Sequence, residues 1–264
     1  METTDDTLLG GRVRVRQPRK GYRFGLEAPL LAAFGLEEPR KPPRHVVDLG
    51  AGVGSVGLCA SYFSPKTRVS LVEDEPATAR LAAYNVDANG LGDRAAVVEA
   101  SVLHAVDALG KGVADLVLTN PPWFDEDAGF VPTDERRRRA RTLGAAGVTP
   151  FLVAGRQLLA RGGRLAIAFP APSLVALLGA LAVAGLVPKR MRFLHGRATA
   201  NADVVFLEAM PAKPGGLRVY PAWCVRSASE AYDPEISAIL QGCWTPPAKI
   251  RPGPRRESLR TAQR

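Results

Sequence analysis

The sequence predicts an α/β protein built on a doubly wound, mostly parallel sheet. Three observations carry this. Short β-rich runs alternate with longer helical runs at spacings that suit β-α-β units. One of the β-rich runs, HVVDLG, reads as a buried strand that ends in a Gly-rich turn. The two richest motifs fall at C-terminal strand ends, where such sheets bind ligands.

The elements follow in order. RVRVR (12–16) alternates with period two and reads as an amphipathic strand. EAPLLAAF (27–34) reads as a short helix, and HVVDLG (45–50) as a buried strand running into a Gly-rich turn. SVGLCASYF (55–63) is a helix stopped near Pro65, and RVSLVE (68–73) is the next strand. Pro76 opens a helix that Gly90 closes. AAVVEA (95–100) is a strand, and ADLVLTNPP (114–122) is a strand ended by two prolines. Residues 149–160 are helical, and 162–170 form a strand entered through Gly162-Gly163. A helix over 173–185 and late strands over 191–196 and 203–210 complete the pattern. Pro-rich stretches at 39–43 and 246–254 mark a linker and a tail.

Composition narrows the class. With 264 residues and 46% hydrophobic side chains the chain can bury a full core. No apolar run approaches the roughly 20 residues of a membrane helix. The N-terminus lacks the apolar core of a secretion signal, so a cytoplasmic protein is expected. Three cysteines (Cys59, Cys224, Cys243) and three scattered histidines (His45, His104, His195) make neither a disulfide framework nor a metal site. The net charge is +9. Basic residues cluster in three places: Arg12 to Arg23, Arg136 to Arg141, and the last sixteen residues. One such cluster suits solvated surface; three in one chain favour a nucleic-acid partner.

Three motifs carry chemistry. In VVDLGAGVGSVGL (46–58), Gly50, Gly52 and Gly54 let the backbone turn tightly and approach a ligand. The helix that follows starts with free amides. Asp48 stands ready to take a ligand's amine or to hold the loop. Glu73 ends the next strand, where an acid can accept both hydroxyls of a ribose; equally, an acid there suits the start of a helix. These two motifs fit a nicotinamide or an S-adenosyl cofactor alike. The third decides. DLVLTNPPWF (115–124) sets Asn120, Pro121, Pro122 and Trp123 at a strand end. Proline removes donors and stiffens the turn, leaving carbonyls projecting. Asn120 adds a side-chain acceptor, and Trp123 offers a face for a flat base. The set suits a planar amine or amide.

These three motifs resemble the cofactor loop, ribose acid and catalytic tetrapeptide of class I S-adenosylmethionine-dependent amino-methyltransferases. LLGGRVRVRQPRKGYRFGLEAPLLAAF further resembles the N-terminal signature of the bacterial tRNA adenine-N6 methyltransferase group that acts on valine tRNA beside the anticodon. It does so through Gln17-Pro18, Gly21-Tyr22-Arg23, Glu27 and Leu30-Leu31-Ala32. YDPEISAIL (232–240) looks like that group's closing helix. Two positions depart from the pattern: Glu27 and Ser101 each stand where Asp is usual. A neutral Ser101 is expected to hold the cofactor's adenine amine more weakly.

The resemblance implies a seven-stranded Rossmann-like methyltransferase sheet over 41–245, a short N-terminal cover over 1–40, and a basic, disordered tail over 246–264. It implies S-adenosylmethionine held by Tyr22, Arg23, Phe24, Asp48, Gly50, Gly52, Gly54, Glu73, Ser101 and Asn120. It implies a methyl transfer at Asn120, Pro121, Pro122 and Trp123 to an exocyclic base amine, adenine N6 in tRNA. Trp123 and Arg136, Arg137, Arg138 and Arg139 would then meet the RNA. Catalysis would be alignment and electrostatics, with no strong base and no metal. Glutamine methylation of a release factor and guanine-N2 methylation of ribosomal RNA use similar acceptors and stay open. A nicotinamide oxidoreductase and a non-catalytic RNA chaperone are rivals from other classes.

Overall fold

The computed structural model describes residues 2–20, 23–37, 41–122, 147–211, 215–226 and 232–246. The sheet is built from β3 (His45–Leu49), β4 (Arg68–Glu73), β5 (Ala95–Glu99), β6 (Ala114–Thr119), β7 (Leu159–Pro170), β8 (Leu186–Arg197) and β9 (Ala202–Pro211). Their order is β5-β4-β3-β6-β7-β9-β8, with β9 antiparallel to both neighbours. This is the expected seven-stranded sheet. Two short strands, β10 (Arg218–Val219) and β11 (Trp223–Arg226), lie parallel along the free edge of β8 and extend it.

Residues alternate between the two faces of the central strands. Leu116 and Leu118 enter one apolar cluster and Val117 the other. Helices α1 (Glu27–Leu36), α2 (Ser55–Phe63), α3 (Pro76–Ala88) and α7 (Pro234–Leu240) cover the first face. Helices α4 (Ala105–Leu109), α5 (Thr149–Leu158) and α6 (Leu174–Val183) cover the second. Every residue of α1 from Ala28 to Leu36 is buried. Burial of that whole helix explains why its sequence shows no polar stripe.

Several boundaries differ from expectation, each for a local reason. The strand over 114–122 stops at Thr119, because Pro121 and Pro122 have no amide for the ladder. The helix over 149–160 stops at Leu158, and β7 starts directly at Leu159, with a register shift opposite Ala114–Leu116. The late strands reach further, to Leu186–Arg197 and Ala202–Pro211, because they pair with each other.

The N-terminal hairpin was half expected. β2 (Val13–Pro18) pairs antiparallel with β1 (Thr3–Leu8), whose TTDDTL carries too little apolar pattern to announce a strand. Its acids change the reading of the first basic cluster. Asp5 pairs with Arg16 at 2.7 Å, Asp6 with Arg23 at 3.0 Å and Glu2 with Arg19 at 3.7 Å. Three cations read as suited to a polyanion are thus engaged within the hairpin. The second and third clusters lie outside the described residues.

Candidate active site

The strand order reverses between β3 and β6, and open sheets of this kind bind ligands in the crevice outside the C-terminal strand ends at such a reversal. The loop after β3 is anchored at its root. The amides of Gly50 and Ala51 both donate to the Val72 carbonyl, at 3.0 and 2.8 Å. Thr119, which the sequence did not single out, donates from Oγ1 to the Leu49 carbonyl at 2.8 Å. The end of β6 is therefore fastened to the start of the loop. Asn120 follows at once, its Oδ1 shielded from solvent, with Pro121 buried behind it.

Gly52 sits at the loop's outer bend with φ +58, in the left-handed region. A Cβ there would meet nothing within 4 Å. The glycine is required by the backbone angle, and space lies open beside it. Gly57, one turn into α2, is required for a different reason. A Cβ would fall 2.2 Å from the Leu71 side chain and 3.1 Å from Val69. Its role is close packing of helix on strand.

Asp48 is buried in the loop's root. Its Oδ2 accepts the Gly57 amide at 2.8 Å, while its Oδ1 is buried with no hydrogen-bond partner in the protein. Burial pushes its pKa up to about 7, opposed by the Gly57 amide and assisted by the Glu73 charge. Of the two roles the sequence allowed, holding the loop is visible here. One of the amides expected to be free at the start of α2 is already taken.

The acids 73–75 divide their work. Glu75 caps α3, accepting the Thr78 amide at 2.8 Å. Glu73 stands over the loop, with Oε2 accepting the Gly52 amide at 2.8 Å and Oε1 the Glu75 amide at 3.0 Å. Burial pushes it up to about 7, against those two amides, and neighbouring Asp74 adds to the rise. The helix-entry role thus belongs to Glu75. Glu73 keeps spare lone pairs at the rim of the crevice.

Ser101 lies on the next strand end: the Ala100 amide donates to the Glu73 carbonyl at 3.0 Å. Its Oγ is 2.9 Å from Nδ1 of His104, a partner the sequence did not suggest. Arg23 donates to Thr4 and Asp6 at 2.9 and 3.0 Å, and Phe24 packs on the core. Both are used within the cover. Gln17 is buried, donating to Asp6 and accepting the Phe24 amide. Tyr22, Trp123 and Arg136–Arg139 lie outside the described residues. Among the described residues no group of His, Cys, Asp and Glu is placed to hold a metal ion, and no helix is long and apolar enough to cross a membrane.

The donor set fits an adenosyl group. A carboxylate at a strand end suits a diol, an orphaned buried Asp48 oxygen lies under the loop, and Gly52 leaves room for a ligand beside the backbone. Strand order and cradle together define the class I S-adenosylmethionine-dependent methyltransferase fold. The family model described as the methyltransferase small domain matches residues 30–169, and the chain belongs to that family.

Known proteins agree with this. A tRNA1(Val) (adenine(37)-N6)-methyltransferase of Porphyromonas gingivalis is 28% identical over 162 residues, 60% of this chain and 63% of that protein. A release factor glutamine methyltransferase of Chlorobaculum tepidum is 33% identical over 162 residues, 58% of this chain and 54% of that protein. The chain thus spans less than two thirds of the length of these relatives. Among solved structures, a predicted O-methyltransferase from Agrobacterium tumefaciens superposes with a TM-score of 0.67. It is 20% identical, and the match covers 83% of this chain and 97% of that one.

Proposed function

We propose that the protein is an S-adenosylmethionine-dependent N-methyltransferase acting on adenine N6 in tRNA. The observation that carries this reading is the position of Asn120-Pro121-Pro122. A side-chain amide oxygen and donor-free prolines end β6 at the crevice, one residue beyond the Thr119 tie to the cofactor loop. The resemblance to several tRNA adenine-N6 methyltransferases supports the substrate class.

S-adenosylmethionine supplies an electrophilic methyl on a sulfonium. The protein's part is to hold and orient. Glu73 accepts the ribose hydroxyls. Gly52 lets the backbone approach without a side chain between. Asn120 and the Pro121 carbonyl accept the two N–H bonds of the target amine. That withdraws its lone pair from the ring and aims it at the methyl. The proton released on methylation leaves to water, so the residues described need no strong base. Positioning of this kind supplies a large part of such a rate enhancement. Trp123 offers the stacking face, and Arg136–Arg139 the phosphate contacts.

A second reading is glutamine methylation of a release factor, favoured by the 33% identical relative. An amide nitrogen suits the same acceptors. One experiment separates the two. Labelled methyl transfer is measured to unmodified tRNA and, in parallel, to a release factor, with Asn120→Ala as control and nucleosides resolved after digestion. N6-methyladenosine that disappears in the variant is expected. Label in the release factor alone would replace the tRNA reading with the second one.

A further inference from the structure

The hairpin is joined to the end of α3 through two asparagines four residues apart, Asn85 in the last turn and Asn89 at the C-cap. Asn85 Oδ1 accepts the Arg16 amide at 2.7 Å, and its Nδ2 donates to the Arg16 carbonyl at 2.9 Å. Asn89 does the same to Arg14, at 2.9 and 2.7 Å. Each side-chain amide thus completes the outer edge of β2 as a neighbouring strand would. The spacing permits it: four helical residues rise about 6 Å, and two strand residues advance about 6.6 Å.

Asn85 differs from Asn89, whose Nδ2 makes its second bond to the Asn85 carbonyl at 2.7 Å, in burial and in partner. It is fully buried, and its Nδ2 also donates to the Val53 carbonyl at 2.9 Å. Val53 lies between Gly52 and Gly54, inside the cofactor loop. One buried amide group therefore holds both the hairpin and the loop. Both Nδ2 protons are committed and Oδ1 accepts one bond, so both ends of the side-chain amide are engaged by the protein.

We propose that Asn85 is a positioning residue that couples the seating of the N-terminal hairpin to the shape of the cofactor loop, so that cofactor affinity depends on the hairpin. This rests on the S-adenosyl reading of the loop. Asn89 has the same hold on the hairpin and none on the loop, which makes it the matched control.

The test is binding of S-adenosylhomocysteine to the full-length protein by calorimetry, with Asn85→Asp and Asn89→Asp compared. Each substitution keeps the acceptor and removes the donors. Asn85→Asp is expected to weaken binding about tenfold or more, and Asn89→Asp less than about twofold. Amide hydrogen exchange on the wild type gives a second readout that needs no variant. Ligand should slow exchange at the Arg16 amide about as strongly as at Gly52 and Gly54, and at the Arg14 amide much less. Equal losses in the two variants, or protection of the loop with no change at Arg16, would overturn the coupling while leaving the cofactor site standing. No binding by the wild type would overturn the cofactor reading and this inference with it.

Discussion

The Gly52 amide donates to Oε2 of Glu73 at 2.8 Å, so the loop and the strand-end acid form one unit. The consequence is a pH dependence in two opposite directions. Burial raises both Glu73 and Asp48 to about 7. A carboxyl raised in the folded state favours folding below its unfolded pKa of about 4, and that contribution is lost as pH rises through about 7. Ligand binding runs the other way, because only the ionised Glu73 is a full acceptor for two hydroxyls. Affinity for S-adenosylhomocysteine should rise severalfold between about pH 6 and about pH 8. Glu73→Gln should bind more weakly and show a flatter profile. Calorimetry at the two pH values checks this, and a wild-type affinity that does not change across the window refutes it.

Ser101 and His104 face each other at 2.9 Å where the resembled family has an acid. A neutral hydroxyl is a weaker acceptor than a carboxylate for an adenine amine. Ser101→Asp should tighten S-adenosylhomocysteine binding by about five- to tenfold. The gain should vanish with S-inosylhomocysteine, whose ring carries an oxygen in place of the amine. An equal gain with both ligands would mean that the new charge acts at long range and does not read the base.

The sequence made the Gly-rich turn, Glu73 and the Asn-Pro-Pro end of β6 legible because each is set by neighbours close along the chain. The division between Glu73 and Glu75 was also within reach: Glu75 directly precedes Pro76 and so occupies a helix cap. What stayed hidden was set by distant pairing. TTDDTL becomes a strand because β2 lies beside it, and only then do Asp5 and Asp6 meet Arg16 and Arg23. The basic run 12–23 therefore looked freer in one dimension than it is in three. Asn85 and Asn89 left a faint signal, two amides four residues apart at the end of an Ala-rich helix.

Arg190 is fully buried and closes the far end of α1. It pairs with Glu37 at 2.7 Å and Glu208 at 3.0 Å, donates to the Phe34 carbonyl, and stacks 4.1 Å over the Phe34 ring. Arg164 donates to the next carbonyl, Gly35, at 2.9 Å. Two strand arginines thus cap a helix end that has no access to water. Arg190→Ala leaves two buried carboxylates without this partner and should cost about 3–5 kcal/mol in urea unfolding. Arg190→Lys should recover only part, since an ammonium cannot reproduce the fork. A loss under about 1 kcal/mol for the alanine variant would show that the carboxylates are relieved by other means.

Gly57→Ala sets two effects against each other. Alanine favours a helix over glycine by about 1 kcal/mol. Against that, the new methyl would lie 2.2 Å from the Leu71 side chain and 3.2 Å from Asp48 Oδ2. Leu71 is itself fully buried on β4, so it has little room to retreat. Overpacking of this kind costs about 1–3 kcal/mol, enough to outweigh the propensity gain. The helix must then move off the sheet, and the first thing it carries is the Gly57 amide that holds Asp48 at 2.8 Å. Both stability and S-adenosylhomocysteine affinity should therefore fall together, the affinity by about tenfold. A variant as stable as the wild type, with unchanged affinity, would mean that Leu71 rotates away freely and that the glycine does not set the spacing between α2 and β4.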